Sequence, residues 1–377
     1  MLYLDNAATT PVRREVLEAM TPYLTHAFGN PSSHHTVGEA PARALEDARE
    51  RVAGVLGVRR GDVVFTSGGT EADNLAVKGI AIGALLDRGA RHVVTLPIEH
   101  EAVLQSAAFL QRVHGFDVTL VPVDGSGRVD PSELGRALRD DTALVSVGYA
   151  NNEVGTVQDV TALAAVCRER GIPVHLDAVQ AAGWLPLAGT GADAISIAGH
   201  KIAAPKGTGA LAVRGRIPVE PLVHGGGQER GRRSGTENVA GAVALATALE
   251  LAEAEREADA AAVAAIRDAF IARVLAEVPQ ARLTGHPVHR LPATASFTFA
   301  GTSGEAVLLE LERRGIVSSS GSACAAGADE PSHVLVAMGI DRQTAQTAVR
   351  FTFPHGLRQD LDAAAAAVAA SVAAVAP

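Results

Sequence analysis

Cysteine is scarce in this chain, with only Cys167 and Cys324 among 377 residues. Two thiols so far apart do not make the disulfide framework of a small secreted domain, so a reducing cytoplasm is the expected setting. Net positive charge is lacking too. The 33 Lys and Arg fall short of the 42 Asp and Glu, and a formal charge of −9 argues against the basic face of a nucleic-acid binder. No segment reaches the roughly 20 consecutive apolar residues of a membrane-spanning helix. The best candidate, the alanine-rich tail 363–376, is shorter, is interrupted by Ser371 and reads as a packed terminal helix. The opening MLYLDNAATT has no basic stretch followed by an apolar one, so no secretory signal is expected there. Glycine-rich segments occur, but none continues into the Gly-Lys-Ser/Thr of a phosphate loop, which disfavours nucleotide hydrolysis. His34 and His35 are adjacent and no Cys/His cluster has ligand spacing, so no metal site is expected. Repeats and low-complexity linkers are absent as well.

What is present is an α/β pattern. The length suggests two domains or one large α/β unit, and 47% hydrophobic residues with 38 glycines is ordinary for such an enzyme. Apolar strand candidates fall at 62–66, 92–96, 118–123, 143–147, 174–176, 194–197 and 209–213. Helical stretches at 71–87, 102–114 and 160–170 separate them. This alternation predicts a mostly parallel sheet flanked by helices, with ligands gathering where its strands end. A glycine-rich segment, 224–235, interrupts the pattern, and a long alanine- and charge-rich helix is expected over 239–278. Strand-like 295–299, helix-like 304–314 and a serine- and glycine-rich loop around Cys324 follow. We therefore expect a large domain over residues 15–250. A smaller α+β domain is expected from 1–14 together with 251–377.

Several polar residues sit at the expected strand ends. Lys201 follows the strand 194–197 in the run AGHK. An arbitrary lysine is a surface residue about nine times in ten, but Asp177 closes another strand in VHLDAVQ. A strand-end aspartate can hold the protonated pyridine nitrogen of pyridoxal phosphate while the lysine supplies the covalent link. Ser67-Gly68-Gly69-Thr70 lies between a strand and a helix. It suits a phosphate cradle and an ordinary helix cap at Thr70 equally well. His100 stands at the mouth of the sheet, where an imidazole could stack on a flat ring. Asn151 and Asn152 suit a turn, or amide contact with a cofactor oxygen or a substrate carboxylate. Small residues surround Cys324, as befits an exposed nucleophile, whereas Cys167 falls on a helix and is expected to be buried and inert.

Taken in order, the motifs YLDNAATTP, FGNPSS, FTSGGTEADN, EH, ANNEVG, HLDAVQ, GHK and PKG span the first part of a family pattern. GGGQERGRRSGTEN, SSGSACAAG, EPSHVL and AVRF complete it. The whole chain resembles the NifS/IscS-like cysteine desulfurases, class V aminotransferases with the fold-type I pyridoxal-phosphate transferase fold. The resemblance implies a cofactor, pyridoxal 5'-phosphate, bound covalently by Lys201. Asp177 would pair with its pyridine nitrogen, His100 would stack on its ring and assist proton transfer, and Gln180 would approach its hydroxyl. Gly69, Thr70 and His200 would hold the phosphate, with Thr236 reaching it from the other subunit of a homodimer. Asn152 and Arg350 would bind the carboxylate of L-cysteine, and Cys324 would attack its sulfur and carry a persulfide. The acceptor would be a protein of iron–sulfur cluster assembly or of tRNA thiolation, in the cytoplasm, with neither a membrane nor nucleic acid as a direct partner.

Two positions depart from the family pattern. Ala198 replaces the usual serine, which removes one phosphate hydroxyl. Phe-Thr-Phe-Pro-His-Gly follows Arg350 in place of a small, glycine-containing continuation. Rival readings are a selenocysteine lyase or another class V enzyme on the same scaffold, and, from a different class, a non-catalytic sulfur-carrier or assembly module. Cys324 and its spacing to Pro331-Ser332-His333 favour the desulfurase over the first, and an intact Lys201, Asp177 and His100 over the second.

Overall fold

The computed structural model describes residues 1–320 and 330–376. A short strand β1 (Leu2–Tyr3) and two helices, α1 (Arg14–Leu24) and α2 (Thr36–Leu56), precede the main sheet. Its first strand β2 (Val63–Thr66) leads into α3 (Gly69–Asn74), which runs through a π-turn at Leu75–Gly79 into α4 (Ile80–Arg88). Then come β3 (His92–Thr95), α5 (Glu101–His114), β4 (Asp117–Leu120), α6 (Pro131–Ala137), β5 (Thr142–Gly148) and α7 (Val160–Glu169). Strands β6 (Val174–Asp177), β7 (Ala194–Ala198) and β8 (Gly209–Val213) complete the sheet.

Seven strands lie in the order β2-β8-β7-β6-β5-β3-β4, and only β8 runs against its neighbours. The α/β fold with a mostly parallel sheet is thus as the sequence predicts. Side-chain alternation assigns the two faces. Val63, Val94 and Val145 face clusters built with α2 and α7, while Val64, Val93 and Leu144 face the cluster of α3, α4 and α5. Left-handed glycines end three of these helices, Gly57 after α2, Gly89 after α4 and Gly115 after α5. The expected strand 118–123 is shorter because β4 is the sheet's edge and lacks a second neighbour to hold it. The expected helix 71–87 starts two residues earlier, at Gly69, with Gly68 as its N-cap, so Thr70 lies inside the first turn and does not cap it.

Helix α8 (Val239–Glu277) is continuous through residue 250. Its first half, to Ala252, packs against the main sheet and α2, and its second half, from Val263, belongs to another core. That second core contains the antiparallel strands β9 (Ala281–Leu283), β10 (Thr294–Phe299) and β12 (Ala348–Thr352), in the order β12-β10-β9. Helix α9 (Gly304–Arg313) and strand β11 (Ile316–Val317) come between, the latter pairing in parallel with β1. Short helices α10 (His333–Ala337) and α11 (Arg342–Ala345) precede β12. The tail forms α12 (Asp362–Val375), whose Val368 and Val372 are buried in this second core. Among the described residues, no helix is long and apolar enough to cross a membrane.

Candidate active site

Because six of the seven strands run the same way, the ends of β3, β5, β6 and β7 open together on one edge of the sheet. A pocket of about 1120 Å³ lies there. Lys201 enters it from the 3₁₀ turn Gly199–Lys201 that follows β7, and Asp177 is the last residue of β6. Lys201 Nζ donates to the carbonyl of Ala8 at 2.8 Å and also to that of Ala7, so the N-terminal segment forms part of the lysine's surroundings. Asp177 Oδ1 accepts from the Val179 amide at 2.9 Å. Burial pushes the Asp177 carboxyl upward, while the Val179 amide, His100 and Lys201 oppose that shift.

His100 is the N-cap of α5, and its Nδ1 accepts the Ala102 amide at 3.1 Å. That bond leaves the ring proton of the neutral imidazole on Nε2. Gln180 lines the pocket with its Nε2 donating to the Ala7 carbonyl at 3.2 Å. His200 also lines it, its Nδ1 3.2 Å from Thr9 Oγ1, and burial beside Lys201 and Lys206 drives its pKa down to about 4. Gly69 and Thr70 form the pocket's rim at the start of α3, where Gly69 has no room for a side chain. A Cβ there would come within 2.8 Å of Val179 and 3.2 Å of Ala198. Ala198, which stands where a serine was expected, therefore sits directly against the cradle.

Asn152 and Arg350 meet at the pocket. Arg350 Nη1 donates to the Asn152 carbonyl at 2.8 Å, and Nη2 to Asp5 Oδ1 at 2.7 Å. Asn151 has a structural job: its Oδ1 accepts the amides of Glu153 and Val154, and its Nδ2 donates to the Ile98 carbonyl. Thr236 is exposed and is not among the residues lining the pocket of its own chain. Cys324 lies outside the described residues. Cys167, on α7, is fully buried, and burial pushes its thiol up to about 12, so it is inert.

Residues not singled out from the sequence complete the site. His175, two residues before Asp177 on the same face of β6, is locked between Ser146 Oγ at 2.9 Å and Ser196 Oγ at 2.8 Å. Burial holds its pKa down at about 3, so it is neutral. Asp73 on α3 and Glu99 before α5 place two buried carboxyls beside the half-buried Asp177. The alternation HLD, which puts His175 on the same face as Asp177, is a signal that could have found it, whereas nothing local distinguished Asp73 or Glu99. Downstream of Cys324, Ser332 caps α10 and makes a short hydrogen bond to Glu153, and His333 Nε2 lies 3.0 Å from the Glu99 carbonyl.

Comparison with known proteins gives one consistent answer. Residues 2–360 match the family model described as aminotransferase class-V. A protein named cysteine desulfurase IscS from Dictyoglomus turgidum is 44% identical over 364 residues, 96% of this chain and 92% of that protein. Among solved structures, a NifS-like protein superposes with a TM-score of 0.89 at 36% identity, covering 98% of both chains. A structure titled SspA in complex with cysteine gives a TM-score of 0.82 at 35% identity, over 94% of this chain and 99% of the other.

Proposed function

We propose, for a chain that belongs to the aminotransferase class-V family, a cysteine desulfurase that uses pyridoxal phosphate to take sulfur from L-cysteine and leave L-alanine. The observation that carries this reading is the convergence of Lys201, Asp177 and His100 on one pocket that also holds Arg350. The donor set suits the cofactor: an amine for its aldehyde, a half-buried acid open to the pocket for its ring nitrogen and a side-chain-free approach at Gly69 for its phosphate. When bound, pyridoxal phosphate supplies an electron sink for the carbon that bears the substrate's amino group.

The chain's own residues do the rest. Arg350 and Asn152 bind the substrate carboxylate, the guanidinium by a two-pronged fit. Lys201 would hold the cofactor through its amine, and that amine would move protons at the substrate carbons. His100 would cover the ring, with its proton kept on Nε2 by the Ala102 amide at Nδ1. Gln180 and His200 would hold the ring hydroxyl and the phosphate, with Thr70 at the cradle. The Cys324 thiolate attacks the substrate sulfur; a sulfur–sulfur bond forms as the carbon–sulfur bond breaks, and the electron pair stays with carbon, which is then protonated to alanine.

Residues 15–250 act as the cofactor-binding unit and 1–14 with 251–377 as the smaller one, a division supported by the separate cores on the two halves of α8. The working form is a cytoplasmic homodimer in which Thr236 reaches the partner's phosphate. The persulfide passes to an acceptor protein for iron–sulfur cluster assembly or tRNA thiolation. Alanine production from L-cysteine by the wild type and by Cys324→Ala, with the visible spectrum recorded alongside, tests the assignment. Alanine from the wild type alone, with cofactor bound in both, is expected; equal alanine from the variant would remove Cys324 from the reaction.

A further inference from the structure

Strands β5 and β6 pair in parallel with Gly148 opposite Asp177, so both residues address the same face of the sheet. Neighbouring strands lie about 4.8 Å apart. A side chain on residue 148 would therefore stand directly beside the Asp177 carboxyl. Gly148 has none, and the place is taken from elsewhere. A Cβ built there would lie 2.9 Å from Oε2 of Glu99 and 3.8 Å from its Oε1. Glu99 arrives from the loop between β3 and α5, is 4% exposed, and is held in place by contacts to the backbone of Ile98 and of Glu99 itself. Asn151 Nδ2 grips the Ile98 carbonyl at 2.9 Å and His333 Nε2 lies 3.0 Å from the carbonyl of Glu99 itself.

We propose that Glu99 is a positioning residue whose carboxyl fills the side-chain place left open by Gly148, where it stays protonated at neutral pH and leaves Asp177 as the anion beneath the cofactor ring. This inference rests on the pyridoxal-phosphate reading and deepens it.

The surroundings decide which acid keeps its proton. Like charges confined in one low-dielectric site cannot all ionise. Three carboxyls meet here, the buried Asp73 from α3 and Glu99 and the half-buried Asp177 at the end of β6, which faces the pocket. Asp177 accepts the Val179 amide and is favoured by the positive charge of Lys201 and of His100 when protonated. Glu99 has the Gly148 amide and, against it, burial and the charge of Asp177, which push it up to about 8. Asp73 is also driven upward, by burial and then by Asp177 and Glu99, and its neighbour His175 is neutral and brings no compensating charge. A protonated Glu99 also has a hydrogen to donate, which a second carboxylate beside Asp177 would not.

The test compares the full-length wild type with Glu99→Gln, which keeps shape and polarity but cannot ionise. As first readout, the infrared carbonyl stretch of a protonated carboxylic acid is recorded at about pH 7 and again at about pH 10. We expect a protonated-acid band in the wild type that is absent from Glu99→Gln and lost at the higher pH. The second readout is the visible cofactor band, whose pH profile should carry, besides any titration of the lysine–cofactor link itself, an inflection near pH 8 from Glu99 that Glu99→Gln lacks. Cofactor affinity at pH 7 should agree within about twofold, because charge is the same in both. Gly148→Ala, which displaces the carboxyl, should move the inflection in an otherwise folded protein. A wild-type Glu99 that is already carboxylate at neutral pH, or a pH profile of the cofactor band identical in wild type and Glu99→Gln, overturns the proposal. Failure of the chain to take up pyridoxal phosphate at all defeats the cofactor reading instead, and the infrared result then decides the state of Glu99 by itself.

Discussion

Asp5 and Arg350 are 345 residues apart in the chain, yet Arg350 Nη2 donates to Asp5 Oδ1 at 2.7 Å. The arginine side chain is 2% exposed and the aspartate 16%. Asp5 thus brings the N-terminal segment against β12 and presents a carboxylate to the guanidinium that the family resemblance assigns to the substrate's own carboxylate. The pair orients the guanidinium plane and offsets its burial.

Removing one partner of a buried pair leaves the other charge uncompensated. Asp5→Ala should lower stability by about 3 kcal/mol, read by denaturant unfolding. Arg350→Lys, which keeps the charge and loses the planar fork, should raise KM for L-cysteine by about tenfold or more with the cofactor spectrum intact. An unchanged KM would separate Arg350 from substrate binding.

Gly209 is registered opposite Thr66, and a Cβ on it would fall 2.6 Å from the backbone carbon of Gly68. Gly209→Ala must push the Ser67–Thr70 cradle aside. Cofactor affinity should drop about tenfold or more, measured by equilibrium dialysis. The complementary change, Ala198→Ser, adds a hydroxyl against the cradle and should tighten cofactor binding by about tenfold, the worth of one charge-assisted hydrogen bond. A loosened complex would show that the hydroxyl cannot reach the phosphate.

His175 gives the protein a defined sensitivity to acid. Its folded pKa, about 3, lies below the ordinary 6.5, so the unfolded chain takes up the proton first as pH falls. Stability from this group is full above pH 6.5 and is lost as pH drops towards 3. His175→Gln should abolish this part, reducing the loss between about pH 6.5 and about pH 4.5 by about 2 kcal/mol. Parallel stability–pH curves for the two proteins would refute the assignment.

Cys167 is fully buried with its thiol pushed up to about 12. Brief treatment of the folded protein with iodoacetamide should add a single carbamidomethyl group, on Cys324, by peptide mass mapping. Unfolded protein should take up two. Native-state labelling of Cys167 would contradict its packing in α7.

The alternation of elements was legible because parallel strands covered on both faces are unbroken apolar runs, such as 143–147, and the helices between them are long. Lys201 and Asp177 were legible because each directly follows or ends such a run. The start of α3 was misread at Thr70, because a Ser-Gly-Gly-Thr sequence offers several residues able to begin a helix and only the backbone path chooses Gly68. Helix α8 crosses the expected boundary at residue 250 because its first half, buried almost all round, and its second half, buried along a stripe through Val263, Phe270 and Val274, serve two cores in succession.

By itself the amino-acid sequence determined the sheet and its helices, the family, and the residue types able to bind an aldehyde, a pyridine nitrogen and a carboxylate, since local periodicity and ordered motifs carry that information. Tertiary structure alone decided that Asp5 holds Arg350, that His175 is neutral between two serines, and that Glu99 fills the space Gly148 leaves beside Asp177. Each of these depends on distances between segments remote in the chain and on the low dielectric that closes around them, which no local pattern of residues encodes.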